Sequence, residues 1–196
     1  MAHELHHTEG FILASYDLKE ADSLLRILTG DFGLVLVQAR GLRKLPSKLR
    51  YHATLFNQAD ISLVRGREVW RLVAVNEAAV MARLRRDPAK WRIYLDILAL
   101  LRRFFHGEEE NQILFNDLKS GFLWLANEAD QVELQKNFEC VLVLRILKQL
   151  GYLADVADLR PFIDFIDWSG DIVGQMADYR PTALSLINRS FQAATV

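Results

Sequence analysis

The residues of this chain that could most readily do chemistry are cations, and five of them follow an apolar, β-branched run at positions 33–37. They lie within the eleven positions 40–50, which contain no acid, and they are Arg40, Arg43, Lys44, Lys48 and Arg50. Like charges repel, and a chain with a formal net charge of −1 does not need such a cluster for solubility. The cluster therefore indicates an anionic ligand. The alternative is a set of solvated loop cations with no specific role.

The charge is distributed unevenly along the chain. Residues 1–86 hold 13 Lys/Arg and nine Asp/Glu, whereas residues 87–196 hold 11 and 16. A pI near neutrality normally argues against nucleic-acid binding, but binding depends on the local electrostatic field rather than on the charge of the whole chain. Between positions 38 and 71 the sequence has eight cations and only two acids, Asp60 and Glu68. The three cations in this range that lie outside the cluster are Arg65, Arg67 and Arg71.

Catalytic and metal-binding patterns are not found in the sequence. It has no Gly-x-Ser-x-Gly, no phosphate-binding glycine-rich loop and no His-Glu-x-x-His. His3, His6 and His7 precede the first predicted strand, in a tail where disorder is expected. The single cysteine, Cys140, lies in an apolar run, so it cannot build a cysteine zinc site and is predicted to be a buried structural thiol. We expect a protein that is not an enzyme and has no metal and no cofactor.

The first 80 residues show the short β-branched and aromatic runs of strands, separated by turn residues. In the segment Arg65-Gly66-Arg67 we expect a tight hairpin with Gly66 at positive φ. Five strands of this spacing predict a small closed barrel of the OB type. The predicted strands are 8–16, 23–29, 33–40, 54–64 and 68–80.

From residue 87 the apolar period changes to that of helices, with Asp87 as an N-cap and Pro88 at the first helical position. Gly107 and Gly151 are predicted to stop the first and third helices, and Arg180-Pro181 to open the last. The third helix is apolar on most of its circumference, which is typical of the centre of a bundle. The predicted helices are 88–106, 111–127, 131–150, one or two short ones within 155–174, and 181–191.

The change of period predicts segregated α+β architecture, with a barrel domain at 1–82 and an all-α domain at 83–196. A barrel of this kind binds single strands with a cationic groove and aromatic platforms for the bases. Candidate platforms are Tyr51, Phe56 and Trp70. Core packing is the alternative for each and is favoured for Phe56 and Trp70, so Tyr51 is the base-stacking candidate.

Five segments of the first fifty residues form a recognisable series: Thr-Glu-Gly-Phe-Ile-Leu at 8–13, Glu-Ala-Asp-Ser-Leu-Leu-Arg-Ile-Leu-Thr at 20–29, Gly-Leu at 33–34, Ala-Arg-Gly-Leu-Arg-Lys at 39–44 and Ser-Lys-Leu-Arg at 47–50. In both order and spacing, they resemble the N-terminal domain of the RecO family of recombination mediators. A second block, 138–152, resembles the central helix of that family's C-terminal domain with its closing Leu-Gly-Tyr, and Asn188 also fits.

The resemblance implies an OB-fold followed by a helical domain, and binding of single- and double-stranded DNA. It also implies annealing of complementary strands, and cooperation with a RecR-like mediator and the single-strand-binding protein to load a RecA-type recombinase. Many members carry a four-cysteine zinc module after Leu-Gly-Tyr, whereas residues 153–161 here contain no cysteine, so we expect no zinc module. The chain is also short for the family. No apolar stretch reaches membrane-spanning length, and a cytoplasmic, nucleoid-associated location is expected.

With this resemblance, the five clustered cations and the three outer arginines are predicted to contact DNA phosphates, which positions the protein without reading sequence. The helical domain is predicted to receive the acidic, hydrophobic-ended C-terminal tail of the single-strand-binding protein at a pocket rimmed by cations. The rim candidates are Arg102, Arg103, Arg145 and Lys148, for which surface solvation is the alternative. A competing hypothesis is a non-catalytic interaction scaffold whose basic loop docks an acidic peptide.

Overall fold

The computed structural model describes residues 4–106, 110–164 and 167–193. The chain divides into two compact units, one of Met1–Met81 with Leu98–Phe115 and one of Ala82–Ile97 with Asn116–Val196. This division places residues 98–115 with the N-terminal part of the chain. The simpler division between residues 82 and 83 stays a prediction.

The first unit is built on a closed five-stranded barrel in the order β1-β2-β3-β5-β4. All neighbouring strands are antiparallel except β3 and β5, which run parallel over only two residue pairs. A closed barrel followed by helices confirms the predicted fold class. The strands are β1 (Leu5–Leu18), β2 (Asp22–Thr29), β3 (Gly33–Ala39), β4 (Gln58–Arg65) and β5 (Trp70–Glu77).

Strand β1 closes the barrel because it is long enough to pair with two neighbours. Its first half pairs with β4 and its second half with β2, and Gly10 belongs to both ladders. A Cβ atom at Gly10 would lie 2.6 Å from the Ile27 side chain, so glycine allows the close approach where the strand bends. Irregular register at Ile12/Ala14 adds to the bend, as bulges do in small barrels.

Three details of the β region differ from the sequence prediction. Strand β4 begins at Gln58 rather than at 54, because the preceding residues form a turn with Phe56 at φ +60°. Strand β5 ends at Glu77, and a helix begins at Ala79. Gly66 does not have positive φ; it is required for space, because a Cβ atom there would lie 2.2 Å from the carbonyl oxygen of Val69.

Residues from the 98–115 segment pack on the outside of the barrel. The centres of the Phe115 and Phe11 rings lie 5.4 Å apart. A Cβ atom at Gly30 would lie 3.0 Å from the Phe115 ring, so the ring packs closely against that glycine. The guanidinium of Arg26 donates to the carbonyl oxygen of Phe105. These contacts explain why this helical segment belongs to the first unit.

The helical region agrees with most of the predicted boundaries. Asp87 accepts hydrogen bonds from the backbone N–H groups of Ala89 (2.9 Å) and Lys90 (3.2 Å), which confirms it as the N-cap. Gly151 is at φ +77° and closes the end of a helix, as predicted. Gly107 lies outside the described residues. The helices are α1 (Ala79–Leu84), α2 (Pro88–Phe104), α3 (Gln112–Glu128), α4 (Val132–Gln149), α5 (Arg160–Ile163) and α6 (Gly170–Ala193).

The last helix begins earlier than the sequence predicts. Pro181 does not open α6 but lies inside it, eleven residues after its start at Gly170. The reason is tertiary packing: buried side chains recur every three or four residues on both sides of the proline, and α6 lies against α4. Burial of this continuous face outweighs the cost of proline in a helix interior. The buried residues of α6 are Val173, Met176, Ala183, Leu186, Ile187 and Ser190.

Replacing Pro181 with alanine is expected to stabilise the protein. Alanine restores the backbone N–H and suits a helix interior better than proline, so the free energy of unfolding should rise by up to about 3 kcal/mol. Urea denaturation measures the change. The exposed neighbour Thr182→Ala serves as the control and should change stability by well under 1 kcal/mol. A destabilised Pro181→Ala variant would mean that α6 requires the geometry that proline imposes.

Candidate nucleic-acid interface

The basic loop, residues 40–57 between β3 and β4, is held to the barrel by its apolar residues. Leu42 (6% exposed) and Ala53 (4%) belong to the barrel core, and Leu49 packs against it. A short 3-10 helix, Lys48–Tyr51, forms the middle of the loop. Because the anchors alternate with the cations, the charged side chains are left in solvent. The exposed cations are Arg40, Arg43, Lys44, Lys48 and Arg50.

Asp22 fixes the point at which the basic loop leaves the barrel. One of its carboxylate oxygens accepts a hydrogen bond from the N–H of Gly41 at 2.8 Å, and the other accepts one from Gln38 Nε2 at 3.2 Å. Gly41 is at φ +63°, a conformation that favours glycine. The hydrogen bond from Gly41 is the main reason that the pKa of Asp22 is lowered, and Arg40 and Lys19 contribute. The anchor therefore stays ionised beside the cations.

A carboxylate on β1 already engages one cation of the basic loop. Arg43 Nη1 lies 2.8 Å from Asp17 Oδ2, and both side chains are substantially exposed. The backbone N–H of Arg43 also donates to the carbonyl oxygen of Ala21 at 3.0 Å. An incoming phosphate must therefore compete with Asp17 for Arg43, which is not the case for a freely solvated arginine.

The outer face of the barrel carries a row of side chains directly beside the basic loop. Tyr16 pairs with Leu24, Leu24 with Gln38, and Gln38 with Arg71 across four strands. Direct cross-strand partners project from the same face of a sheet. Tyr16 is 48% exposed, so it is a further candidate for an aromatic platform. The structure thus brings the predicted contact Arg71 to the same face as Tyr16, which sequence reasoning missed because the register was unknown.

The three aromatic candidates lie in different environments. Tyr51 is 74% exposed on the basic loop and is available for stacking. Phe56 is partly buried where the loop returns to the barrel, and its N–H donates to the carbonyl oxygen of Ile12. Trp70 packs against the barrel core but stays partly exposed. Of the three outer arginines, Arg65 and Arg67 are exposed at the β4–β5 hairpin.

The prediction that Arg145 lies at the cationic rim of a partner-binding pocket is wrong. Its side chain is buried, with Nη1 2.8 Å from Asp117 Oδ1 and Nε donating to the carbonyl oxygen of Phe162 at 2.7 Å. Its guanidinium also lies 4.3 Å from the centre of the Trp168 ring. Arg145 therefore stabilises the interior rather than the rim of a surface pocket.

The other three rim candidates are exposed and remain predictions. Lys148 lies on α4 in the second unit, whereas Arg102 and Arg103 lie on the part of α2 that belongs to the first unit. The guanidinium of Arg103 lies 5.0 Å from the Phe104 ring.

The prediction that the histidines precede the first strand in a disordered tail is wrong for His6 and His7, because both lie within β1. His3 is outside the described residues. His7 Nδ1 is 2.9 Å from Ser62 Oγ. In the described ranges, no group of three or more His, Cys, Asp or Glu side chains is arranged to hold a metal ion.

Cys140 is buried as predicted, and burial raises the pKa of its thiol to about 11. None of the helices in the described parts of the chain is both long and apolar enough to cross a membrane.

Comparison with known proteins gives consistent matches. Residues 1–82 match the family model described as "Recombination protein O N terminal". The chain is 32% identical over 153 residues to the DNA repair protein RecO of Roseiflexus sp. (78% of this chain, 52% of the relative). It is 26% identical over 151 residues to that of Dehalococcoides mccartyi strain 195 (77% and 58%). A match to that of Heliobacterium modesticaldum, 24% identical over 195 residues, covers 93% and 69%. The chain thus spans little more than half of the first two relatives.

Freeing Arg43 from its ion pair is expected to strengthen binding of single-stranded DNA. In Asp17→Asn the competing carboxylate is gone, so affinity should rise, and the slope of log affinity against log salt should steepen by up to about 0.7, the value for one phosphate contact. Oligonucleotide titrations over a salt series measure both. The control Asp60→Asn removes the same charge from an exposed site in the middle of β4. Equal effects in the two variants would show that only net charge matters.

Removing Arg145 is expected to destabilise the protein. Burial raises the pKa of the Asp117 carboxyl, and Arg145 opposes that rise. Arg145→Ala leaves Asp117 buried without its counter-charge, so the free energy of unfolding should fall by roughly 3–5 kcal/mol. The exposed residue Lys148 on the same helix provides the control, and Lys148→Ala should stay within about 0.5 kcal/mol. Urea denaturation decides, and a fully stable Arg145→Ala variant would contradict the structural role.

Proposed function

Because the chain belongs to the RecO family, we propose that it is a DNA-binding recombination mediator in DNA repair. It binds single- and double-stranded DNA without sequence preference, anneals complementary strands, and helps to load a recombinase onto DNA covered by single-strand-binding protein. It cleaves no bond, and the work is done by binding. The observation that carries the proposal is the basic loop: five exposed cations without an acid, anchored on a barrel of the type that binds single strands.

Charge, exposure and position support DNA as the ligand of this loop. The exposed cations reach solvent from a loop whose backbone is fixed by Asp22 and Leu42. Such cations contact phosphates, release condensed counterions and therefore bind any sequence. Arg71 extends the cationic surface across the outer face, and the exposed rings of Tyr51 and Tyr16 offer platforms on which bases can stack.

The partners follow from the family and belong to the proposal. A RecR-like mediator and the C-terminal tail of the single-strand-binding protein would be direct partners, and a RecA-type recombinase an indirect one. Lys148 on the second unit remains a candidate for the tail's terminal carboxylate, and Arg102 and Arg103, which lie on the first unit, are separate candidates. Arg145 is no longer one, because it is buried against Asp117.

A second candidate function is a protein-interaction scaffold, and one observation favours it. The tip of the basic loop exposes Leu45 (82%) between Lys44 and Pro46, and Leu55 (45%) lies at the end of the loop. Exposed apolar side chains among cations suit an acidic, partly hydrophobic peptide. If the loop binds such a peptide rather than DNA, oligonucleotides should show no length-dependent, salt-sensitive binding to the protein.

Replacing Arg43, Lys44 and Lys48 together by alanine tests the proposal. If all three contact phosphates of single-stranded DNA, the slope of log affinity against log salt should flatten by roughly two units, since each contact contributes about 0.7. Oligonucleotides of different sequence should weaken about equally. Stability should hardly change, because each exposed substitution typically costs no more than about 0.5 kcal/mol.

The matched control removes three exposed cations from the second unit: Arg86, Lys148 and Arg189 to alanine. It loses the same charge but should keep the wild-type slope. If the loop variant melts like the wild type and also keeps its slope, DNA is not the ligand of the basic loop, and the scaffold becomes the better hypothesis.

A further inference from the structure

A second feature of the barrel, a recess of about 400 Å³, lies beside the first half of β3. It exists because β3 and β5 pair only through Val37–Trp70 and Gln38–Arg71. Residues Leu34–Leu36 therefore have no neighbouring strand on that side among the described residues, and the β4–β5 hairpin lies opposite them. The recess combines a strand edge with a hairpin wall.

Two aromatic residues, Phe32 and Trp70, line this recess. The rings of Phe32 and Trp70 lie 4.8 Å apart at an angle of 38°, and both pack against the barrel core while staying partly exposed. His6 meets both rings edge-on, with centroid distances of 5.5 and 5.3 Å. The three rings hold one another in place, so the exposed parts of Phe32 and Trp70 form a fixed aromatic surface.

Two guanidinium groups lie at the hairpin side of the recess. Arg65 lies 5.8 Å from the centre of the Trp70 ring, and Arg67 is exposed at the turn. Gly66 between them keeps the turn close to Val69, since any Cβ atom there would collide with the Val69 carbonyl. The hairpin thus presents its cations beside the aromatic surface rather than away from it.

We propose that this recess binds an unpaired nucleobase of single-stranded DNA, stacked on Trp70 and Phe32, with the adjoining phosphate at Arg65 and Arg67. The proposal rests on the proposed function and adds to it a base-binding site separate from the basic loop. Stacking on an aromatic ring accepts any base, and the backbone groups of Leu34–Leu36, which pair with no described strand on this side, can meet polar edges of the base. Glu68 and Glu110 also line the recess, and their negative charge disfavours a phosphate beside them while leaving a neutral base unaffected.

An extended peptide added to the edge of β3 is the competing occupant. A peptide strand would pair with the edge of β3 that no described strand covers, but it would not require two arginines beside a fixed pair of rings. A nucleotide uses every part of the recess: the rings for the base, the guanidinium groups for the phosphate and the strand edge for polar contacts. The nucleotide therefore fits the residues present better.

Photochemical cross-linking of the full chain tests the proposal directly. An oligothymidylate carrying one 5-iodo-deoxyuridine is bound and irradiated, and the cross-linked peptide is identified by mass spectrometry. We expect cross-links at Trp70 or Phe32. Cross-links confined to Tyr51 or Tyr16 would overturn the recess while keeping the basic loop as a DNA site.

Affinity measurements give a second readout that does not depend on cross-linking. An oligonucleotide made of abasic sites should bind the wild type at least about fivefold more weakly than oligothymidylate, which corresponds to the loss of one stacked base. In Trp70→Leu this preference should shrink, while Trp70→Phe, which keeps a ring, should retain most of it. Thermal melting identifies any variant that fails to fold, in which case Trp70→Phe and the wild-type cross-links decide.

The outcomes also separate this inference from the proposed function. If oligothymidylate shows no salt-dependent binding, both fail. If it binds with the salt slope set by the basic loop, but Trp70→Leu keeps the full preference for bases over abasic sites, only the recess fails. In that case an extended peptide becomes the better occupant.

Discussion

Five like charges on one loop repel one another, so an ordered arrangement of them requires other contacts that hold the loop in place. Here Leu42, Leu49 and Ala53 supply those contacts by joining the barrel core, and Asp22 fixes the exit from β3. The cations then project from a backbone that is already ordered. A ligand meets an arranged set of charges and does not have to order the loop itself, which lowers the entropic cost of binding.

Burial separates two kinds of charge in this protein. On the barrel the cations are exposed, so salt screens them and they suit a polyanion that is bound reversibly. In the helical unit Arg145 and Asp117 are both nearly excluded from solvent and are supported by Trp168, whose Nε1 donates to Asp117 at 2.9 Å. Salt screens a buried pair of that kind much less than an exposed one. Removing one partner strongly destabilises the folded protein, because the other charge is left buried alone. Arginine is therefore an exposed, screened charge in one unit and a buried structural charge in the other.

Much of the architecture could be predicted from the sequence because its signals are local. The period-two runs indicate the strands, Asp87-Pro88 marks a helix start, and Gly151 marks a helix end. In two places where the prediction failed, at Pro181 and at Arg145, the deciding contact is distant in sequence. Pro181 lies inside a helix because α6 buries a face against α4. Arg145 lies in the interior because it pairs with Asp117, which is 28 residues away in the sequence. The cations of the basic loop could be identified from the sequence, but Tyr16 could not, because its place beside them depends on strand register.

The parallel contact between β3 and β5 has a consequence for how the barrel forms. The strands β1, β2 and β3 follow one another as a meander, and β4 and β5 form a hairpin, so both pieces need only short loops to close. Pairing β3 with β5 must instead close the segment between Ala39 and Trp70, and it gains only two residue pairs. We therefore expect this seam to close last during folding and to be the first place where the barrel opens in native-state fluctuations.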